Sequence, residues 1–207
     1  MQKKVNRNIK WIFDKTVSLT GLIALSPVFA TLSVVIKFES PGLPIFFRQT
    51  RIGQYGKPFS LVKFRNMRPG ENDKSQHITV AGDPRITRIG RFLRKYKLDE
   101  LPQLWNVFKG DMSLIGPRPL LVQYLPLYSP EQARRHEVRP GITGWAQCHG
   151  RNSISWKKKF ELDVWYVDNI SFITDIKVIL TTIKKVIKRD GISQEGQATL
   201  QAFDGNN

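Results

Sequence analysis

The chain has 207 residues, with 33 Lys and Arg against 17 Asp and Glu, so its formal net charge is +16. This length suits one domain with its own core, and the charge indicates an anionic partner: nucleic acid, an acidic bilayer surface or a phosphorylated substrate. The single cysteine, Cys148, excludes an internal disulfide and a zinc site built from cysteines, which favours a reducing compartment.

The N-terminal part of the chain contains an apolar segment. Residues 17–36 carry no charge and are long enough to cross a bilayer as one straight helix. Ser26 and Pro27 lie in the middle, where proline removes a backbone donor and predicts a break. Basic residues flank both sides, so the positive-inside rule gives no direction. We therefore expect a re-entrant helix-break-helix anchor over residues 1–37.

Three other interpretations of this segment compete with the re-entrant one. A cleaved signal peptide has a shorter apolar region followed by a small-residue cleavage site, which the sequence after residue 36 does not resemble. A straight membrane span would place the acidic residues described below on the far side of the membrane, if the N-terminus stays inside. A buried core helix would need a larger apolar partner than the rest of the chain offers.

The chain after the anchor predicts a β-hairpin followed by a loop. Residues 45–52 and 58–64 form two short runs around a turn at residues 54–57. Residues 68–82 are polar, contain Pro69, Gly70 and Gly82, and show no sustained period, which is typical of a surface loop.

Two segments show the pattern of basic amphipathic helices, residues 85–96 and residues 172–188. Each has a stripe of Ile, Leu or aromatic residues bordered by Lys or Arg. Such helices suit an anionic membrane interface, but the same stripe also suits packing on a protein core. The sequence leaves both alternatives open.

Two adjacent acids, Asp99 and Glu100, stand among these cations. They precede an apolar spacing that begins at Leu101, so the pattern places them at the start of a helix, with Pro102 tolerated in its first turn. Free N–H groups and the positive end of the helix dipole stabilise a carboxylate or a phosphate there. The setting suits a carboxylate nucleophile that attacks phosphorus.

Several motifs follow one another in the chain: residues 98–106 (LDELPQLWN), 109–113 (KGDMS), 116–119 (GPRP), 139–147 (RPGITGWAQ) and 150–156 (GRNSISW). In sequence and order they resemble those of the bacterial sugar transferases that are monotopic phosphoglycosyl transferases. The resemblance covers roughly residues 7–205 and looks closest to the small single-domain members, such as those that use UDP-N,N′-diacetylbacillosamine in protein N-glycosylation.

This resemblance implies an α+β fold that is mostly helical, with a re-entrant anchor, a small β-hairpin and interfacial amphipathic helices. It implies transfer of a sugar 1-phosphate, from an N-acetylated UDP-sugar such as UDP-N,N′-diacetylbacillosamine, to undecaprenyl phosphate with release of UMP. By the same resemblance Asp99 attacks the β-phosphorus and forms an aspartyl phosphosugar, and Glu100 assists. Asp99 and Glu100 are also the expected carboxylates for Mg²⁺, which prefers carboxylate and phosphate oxygens.

Three arginines are candidates for binding the substrate phosphates. Arg118 lies between two prolines, so its backbone is held stiffly, and a guanidinium fork matches phosphate oxygens. Arg88 precedes the dyad on a cationic face, and Arg151 follows Gly150 in a family motif. Lys63 and Arg65 rank below them, and Asp111 fits a turn or helix cap better than a catalytic role.

The resemblance places the protein at the bacterial inner membrane with its catalytic part, residues 38–190, on the cytoplasmic face and a C-terminal tail over residues 191–207. Expected partners are the UDP-sugar, undecaprenyl phosphate, anionic lipids and downstream glycosyl transferases, with no nucleic acid. Two alternatives remain open: a membrane-tethered basic protein that binds nucleic acid without catalysis, and a glycosyl transferase that releases UDP.

Overall fold

The computed structural model describes residues 2–70, 82–150, 154–188 and 202–205. Within these ranges the chain forms eight α-helices and four short strands, so the expected α+β fold with a helical majority is confirmed. The helices are α1 (Gln2–Ala24), α2 (Ser26–Glu39), α3 (Arg88–Tyr96), α4 (Gln103–Lys109), α5 (Pro130–Ala133), α6 (Trp145–Cys148), α7 (Trp156–Asp168) and α8 (Phe172–Lys188). The strands are β1 (Phe46–Ile52), β2 (Pro58–Phe64), β3 (Ser113–Ile115) and β4 (Gly141–Thr143).

The first two helices are separated at Leu25, and their axes bend by 60°. Pro27 lies in the first turn of α2, where its missing N–H removes no helical hydrogen bond. The Ser26 hydroxyl donates a hydrogen bond of 2.8 Å to the carbonyl of Ile23, near the end of α1. Part of the hydrogen bonding that α1 loses at the break is thereby replaced.

No helix in the described parts of the chain is alone long and apolar enough to cross a bilayer, but Arg7–Ala24 and Ser26–Glu39 meet that requirement as a bent pair. Leu32 and Ile36 of α2 are buried in the core, but much of the apolar surface of the pair is exposed. Asp14 and Ser18 are fully buried, while large apolar side chains are exposed: Ile9, Ile12, Phe13, Val17, Leu19, Ile23, Val34 and Phe38.

Asp14 connects α1 to the rest of the molecule. Its carboxylate accepts hydrogen bonds from the backbone N–H of Leu114, at 3.1 Å, and from the guanidinium of Arg139, at 3.2 Å. A buried charge is tolerated only when it is paired and hydrogen-bonded, and Asp14 meets both conditions. The N-terminal helix is therefore fixed to the strand β3 that leads into the Gly116–Arg118 segment.

The predicted β-hairpin is confirmed. Strands β1 and β2 pair in antiparallel register from Phe46 opposite Phe64 to Ile52 opposite Pro58. Phe64 is buried against Leu32 of α2 and Leu93 of α3. This packing holds the end of β2, and the residues that follow it, next to the turn after α3.

Helix α3 begins at Arg88, three residues later than the sequence pattern predicts. The Thr87 side chain accepts a hydrogen bond from the N–H of Gly90 and caps the helix there, while Ile86 is still extended and pairs with Met67. The apolar stripe of α3 is divided: Leu93 is fully buried, whereas Phe92 and Tyr96 are exposed.

Strands β3 and β4 form a parallel pair that the sequence does not predict, because three residues are too few to show a period. The segment after β3 lies directly against β4. A Cβ atom on Gly141 would lie 2.1 Å from the nitrogen of Gly116, so only glycine fits there. This close contact fixes the backbone just before Arg118.

The last predicted helix, residues 172–188, is confirmed as α8. Its Val178 is buried in the core, but Phe172, Ile173 and Leu180 are exposed. Of the predicted C-terminal tail, residues 191–207, the structure describes residues 202–205, and the others lie outside the described residues. Phe203 returns to the body of the protein and is buried among aromatic residues: Tyr124, Tyr128, Trp156 and Phe160.

Candidate active site

The acidic dyad lies in a turn between α3 and α4. Lys97 ends α3 in the left-handed conformation, with φ of 59°, and residues Leu98–Glu100 form one 3₁₀ turn. Helix α4 starts only at Gln103. The expectation that the acids begin a helix is thus corrected: they precede the helix by one turn, because Lys97 reverses the chain there.

Asp99 is buried, with 6% of its surface exposed. Its Oδ2 atom accepts a hydrogen bond of 2.8 Å from the side-chain amide of Asn66. Its Oδ1 atom is also buried and has no hydrogen-bond partner among the described residues. A buried, unpaired carboxylate oxygen costs free energy, so such an atom in a native structure indicates a place for a ligand or for reaction.

Burial raises the pKa of Asp99, and the negative charge of Glu100 raises it further, against the lowering effect of Lys63, Lys97 and Arg94. The expectation that a helix terminus stabilises this carboxylate is therefore wrong. The side chain is desolvated, and within the described residues it accepts its hydrogen bond from the side-chain amide of Asn66 rather than from helix N–H groups. Desolvation makes the ionised oxygen a stronger nucleophile.

Glu100 has the opposite environment. Its Oε1 atom accepts hydrogen bonds from Lys63 Nζ at 2.9 Å and from Arg118 Nη2 at 2.6 Å, and Oε2 lies 3.3 Å from Arg118 Nη1. Burial would raise the pKa of Glu100, but the charges of Arg118 and Lys63 outweigh it and hold the pKa well below its usual range. Glu100 thus favours its ionised form and bonds two cations, Lys63 and Arg118, beside Asp99.

Arg118 therefore lies where the sequence predicted a phosphate-binding arginine, next to the dyad. Its backbone is fixed by Arg135, whose Nη2 atom donates a hydrogen bond of 2.9 Å to the Arg118 carbonyl. Arg135 is itself buried and paired with Asp163, at 2.7 Å between Nη2 and Oδ2. Contacts thus connect the buried pair of Arg135 and Asp163 to Arg118, whose guanidinium pairs with Glu100.

The other two predicted arginines are not placed at the dyad by the described contacts. Arg88 is exposed in the first turn of α3, and the cations that act most on Asp99 are Lys63, Lys97 and Arg94 instead. Arg151 lies outside the described residues. Asp111 accepts a hydrogen bond from the side chain of Asn106 and pairs with Lys109, so its contacts are local, but they are to side chains rather than to the backbone N–H groups of the predicted turn or cap.

Within the described residues, no group of three or more His, Cys, Asp or Glu side chains is arranged to hold a metal ion. A divalent cation at the dyad would therefore take its ligands from Asp99, Glu100 and the phosphate oxygens of a substrate. Mg²⁺ is commonly bound in this way, by one or two carboxylates and the phosphates it serves. Within the described residues Oδ1 of Asp99 is the dyad oxygen without a hydrogen-bond partner, whereas the oxygens of Glu100 already bond Lys63 and Arg118.

Comparison with known proteins gives the family. The sequence model described as "Bacterial sugar transferase" matches residues 5–189, which is most of the chain. The chain belongs to the bacterial sugar transferase family. The resemblance found in its motifs is thereby confirmed at the level of the family.

Among its relatives, this sugar transferase is 50% identical over 198 residues to "Uncharacterized sugar transferase EpsL" of Bacillus subtilis, with 96% of each chain covered. It is 42% identical over 190 residues to the UDP-glucose:undecaprenyl-phosphate glucose-1-phosphate transferase of Escherichia coli. It is 38% identical over 185 residues to the UDP-N-acetylgalactosamine-undecaprenyl-phosphate N-acetylgalactosaminephosphotransferase of Aeromonas hydrophila. These two matches cover 87% and 86% of this chain, but only 40% and 44% of the relatives.

Sequence reasoning ranked Lys63 low and did not single out Asn66 as a site residue of this transferase. Both contacts are distant in the sequence: Lys63 is 37 residues from Glu100, and Asn66 is 33 residues from Asp99. One feature of the sequence could have indicated both residues. Lys63 and Asn66 lie at and just after the end of a predicted strand, where a hairpin delivers polar side chains to a neighbouring turn.

Proposed function

We propose that this transferase moves a sugar 1-phosphate from a UDP-sugar to undecaprenyl phosphate and releases UMP. The observation that carries the proposal is the pair of neighbouring carboxyls, one with an unpaired buried oxygen and the other holding Lys63 and Arg118. The family match supports an enzyme of the phosphoglycosyl transferase class, as do the names of its Escherichia coli and Aeromonas hydrophila relatives.

The proposed first step is attack by a carboxylate oxygen of Asp99 on the β-phosphorus of the donor. A bond forms between this oxygen and phosphorus, the bond from phosphorus to the bridging oxygen breaks, and its electron pair leaves with UMP. Asn66 bonds Oδ2, which leaves Oδ1 as the proposed attacking oxygen. The covalent product is an aspartyl phosphosugar.

In the second step an oxygen of undecaprenyl phosphate attacks the same phosphorus. The bond between Asp99 and phosphorus breaks, and the carboxylate is restored. Neither step needs a net proton transfer, so Glu100 has no proton to move. Its proposed role is to keep Lys63 and Arg118 in place for the charge that develops on the transferred group.

Mg²⁺ is proposed as the cofactor at Asp99 and Glu100. The donor's diphosphate would supply most of its ligands, because the Glu100 oxygens already bond Lys63 and Arg118 and Oδ1 of Asp99 is the proposed nucleophile. When bound, it would neutralise phosphate charge and polarise the P–O bond that breaks. Arg88 and Arg151 remain proposed phosphate contacts for parts of the substrate beyond the dyad.

The acceptor is a lipid, so the enzyme must work at a membrane. We propose that α1 and α2 form a re-entrant anchor broken at Ser26 and Pro27, supported by their 60° bend and their exposed apolar side chains. Exposed apolar residues on α3 and α8, such as Phe92 and Leu180, face the same kind of environment in this proposal. The active site would then lie on the cytoplasmic face of the inner membrane, near anionic lipids and downstream glycosyl transferases.

The identity of the donor sugar is the most detailed part of the proposal. The motifs favour an N-acetylated sugar such as N,N′-diacetylbacillosamine, while the relatives named above act on glucose and N-acetylgalactosamine donors. Discrimination among such sugars depends on a few hydrogen bonds to hydroxyl or acetamido groups.

The test incubates the detergent-solubilised protein with Mg²⁺, undecaprenyl phosphate and a panel of UDP-sugars, and identifies the released nucleotide by chromatography. The panel contains glucose, galactose, N-acetylglucosamine, N-acetylgalactosamine and N,N′-diacetylbacillosamine donors. We expect UMP from at least one donor, and no UMP from the Asp99→Asn variant. Asp111→Asn is the matched control, because it neutralises a nearby carboxylate whose contacts are local.

Release of UDP would overturn the proposal in favour of ordinary glycosyl transfer. Absence of any nucleotide release, with membrane association verified, would favour a binding protein instead. The covalent step has its own readout: intact-protein mass spectrometry with donor but no acceptor should show the added mass of a sugar phosphate. That mass should be missing in Asp99→Asn.

A further inference from the structure

Asn106 is a buried residue of α4 whose side-chain amide bonds one edge of strand β2. It is 1% exposed. Its Oδ1 atom accepts a hydrogen bond of 3.0 Å from the backbone N–H of Val62, and its Nδ2 atom donates one of 2.7 Å to the carbonyl of Ser60. Among the described residues, the strand that pairs with β2 is β1, along the other edge. The amide thus takes the place of a third strand, because it offers β2 one acceptor and one donor as a neighbouring backbone would.

The two contacts fix the orientation of the amide. The N–H of Val62 only donates and the carbonyl of Ser60 only accepts, so the amide oxygen must face the first and the amide nitrogen the second. A further contact of 3.3 Å joins Nδ2 to the carboxylate of Asp111. An apolar side chain of similar size has neither a donor nor an acceptor for this edge, and it would leave the N–H of the buried residue Val62 without its partner.

The backbone of Asn106 bonds a second segment. Its carbonyl accepts hydrogen bonds from the N–H of Gly110, at 3.1 Å, and from the N–H of Met112, at 3.2 Å. Gly110 ends α4 in the left-handed conformation, with φ of 97°, and Met112 is fully buried directly before β3. One residue therefore joins the edge of β2 to the connection that leads into β3.

These two segments carry the cations that pair with Glu100. Lys63 directly follows Val62 in β2, and its Nζ atom lies 2.9 Å from Glu100 Oε1. Arg118 follows β3, and its Nη2 atom lies 2.6 Å from the same oxygen. Because Asn106 bonds both segments, it helps to set the separation of two cations that share one carboxylate.

We propose that Asn106 is a positioning residue of this transferase. Its amide fixes β2 against α4 and so keeps Lys63 and Arg118 close enough to share Glu100. No hydrogen bond or ion pair among the described residues joins Asn106 itself to Asp99 or Glu100, so it acts through the segments that it bonds. This inference rests on the proposed function, in which the two cations face the charge that develops on the transferred group. An error of about 1 Å in such a placement lowers a rate by about 100-fold.

The experiment combines Asn106→Leu with Lys63→Met and measures UMP release from the donor that the wild type accepts. Cations that stabilise developing charge act on kcat, so we expect Asn106→Leu to lower kcat by about 10- to 100-fold and to change the donor KM much less. In the Lys63→Met background the same substitution should lower kcat by a much smaller factor, because the cation that it displaces is absent. An equal factor in both backgrounds would overturn the proposal, since a general structural defect acts regardless of Lys63.

Hydrogen–deuterium exchange of the detergent-solubilised full chain gives a readout that does not need activity. In Asn106→Leu the backbone amides of residues 58–64 should exchange faster than in the wild type, while those of α8 should not change. Unchanged exchange over residues 58–64 would overturn the proposal. Asn106→Asp repeats both measurements with a side chain of the same shape, which keeps the acceptor for Val62 but, when ionised, has no donor for Ser60. We expect the same faster exchange and the same dependence on Lys63 from it.

The matched control is Thr174→Val, which removes a different buried side-chain hydrogen bond. Thr174 is 8% exposed, and its hydroxyl donates a hydrogen bond of 2.8 Å to the carbonyl of Asn169. This variant should leave kcat and the exchange of residues 58–64 unchanged. A fall in kcat equal to that of Asn106→Leu would overturn the proposal, because loss of any buried hydrogen bond would then have the same effect. Failure of the proposed function looks different: the wild type would release no UMP from any donor, while the faster exchange in Asn106→Leu would remain.

Discussion

The buried ion pair of Arg135 and Asp163 gives the sharpest prediction about how the site is supported. The two side chains are 1% and 2% exposed, and Asp163 Oδ2 accepts from Nη2 at 2.7 Å and from Nε at 3.1 Å. In the variant Arg135→Met the carboxyl of Asp163 remains buried without its partner. Breaking a buried pair in this way costs about 3–5 kcal/mol, a large share of the stability of a typical domain.

The double variant Arg135→Met with Asp163→Leu separates the cost of the stranded charge from the value of the pair. Replacing both ions by apolar residues of similar volume is often neutral or stabilising, so we expect it to regain most of the lost stability. Urea unfolding in detergent, followed by circular dichroism, measures both variants and Asp163→Leu alone. If the double variant is as unstable as Arg135→Met, or if Arg135→Met unfolds like the wild type, the reasoning is refuted.

The same double variant tests the link to catalysis. It lacks the hydrogen bond of 2.9 Å from Arg135 to the Arg118 carbonyl, even where its stability has been regained. We therefore expect a well-folded protein whose kcat/KM for the donor stays below that of the wild type. Recovery of both stability and kcat/KM would show that Arg135 does not position Arg118.

Three further predictions concern other parts of the chain. Burial raises the pKa of Asp99, so the ionised carboxylate destabilises the fold at pH values above that pKa. The variant Asp99→Asn should therefore have a higher Tm than the wild type near neutral pH. The difference in Tm should disappear below the ordinary pKa of 3.8, which thermal scans at the two pH values would show. Asn66→Ala removes a hydrogen bond to the charged carboxylate, so the pH profile of UMP release should shift to higher pH, and an unshifted profile would contradict the orienting role of Asn66. Phe203→Ala opens a cavity among buried aromatic rings and should lower the free energy of unfolding by about 3–5 kcal/mol, measured by urea denaturation.

The parts of the fold with a clear period were predictable from the sequence. Helix α8 has the predicted bounds, because its apolar residues recur at helical spacing over 17 residues. The β-hairpin followed from two extended runs around a glycine-containing turn. Strands β3 and β4 were not predicted, since three residues show no period and their pairing joins segments 28 residues apart, from Ser113 to Gly141.

The proximity of Asp99, Glu100 and Arg118 was predictable from the sequence, but their surroundings were not. Asp99, Glu100 and Arg118 could be selected because they stand in motifs that resemble those of the family. Their environments could not be read from the sequence, because burial and long-range partners decide them. The helix-start pattern predicted a stabilised carboxylate at position 99, but Lys97 turns the chain and packing desolvates the side chain, so the pKa moves the other way.

The difference between the two neighbouring carboxyls assigns their proposed roles. Asp99 is buried with one free oxygen and a raised pKa, while Glu100 is saturated by Lys63 and Arg118 and has a depressed pKa. Groups whose environments push their pKa values apart perform different tasks in a site. A carboxylate with two cationic partners is a poor nucleophile, because its oxygens already accept hydrogen bonds from those cations. Glu100 is therefore best suited to hold the cations, and Asp99, whose Oδ1 atom has no competing donor among the described residues, to attack phosphorus.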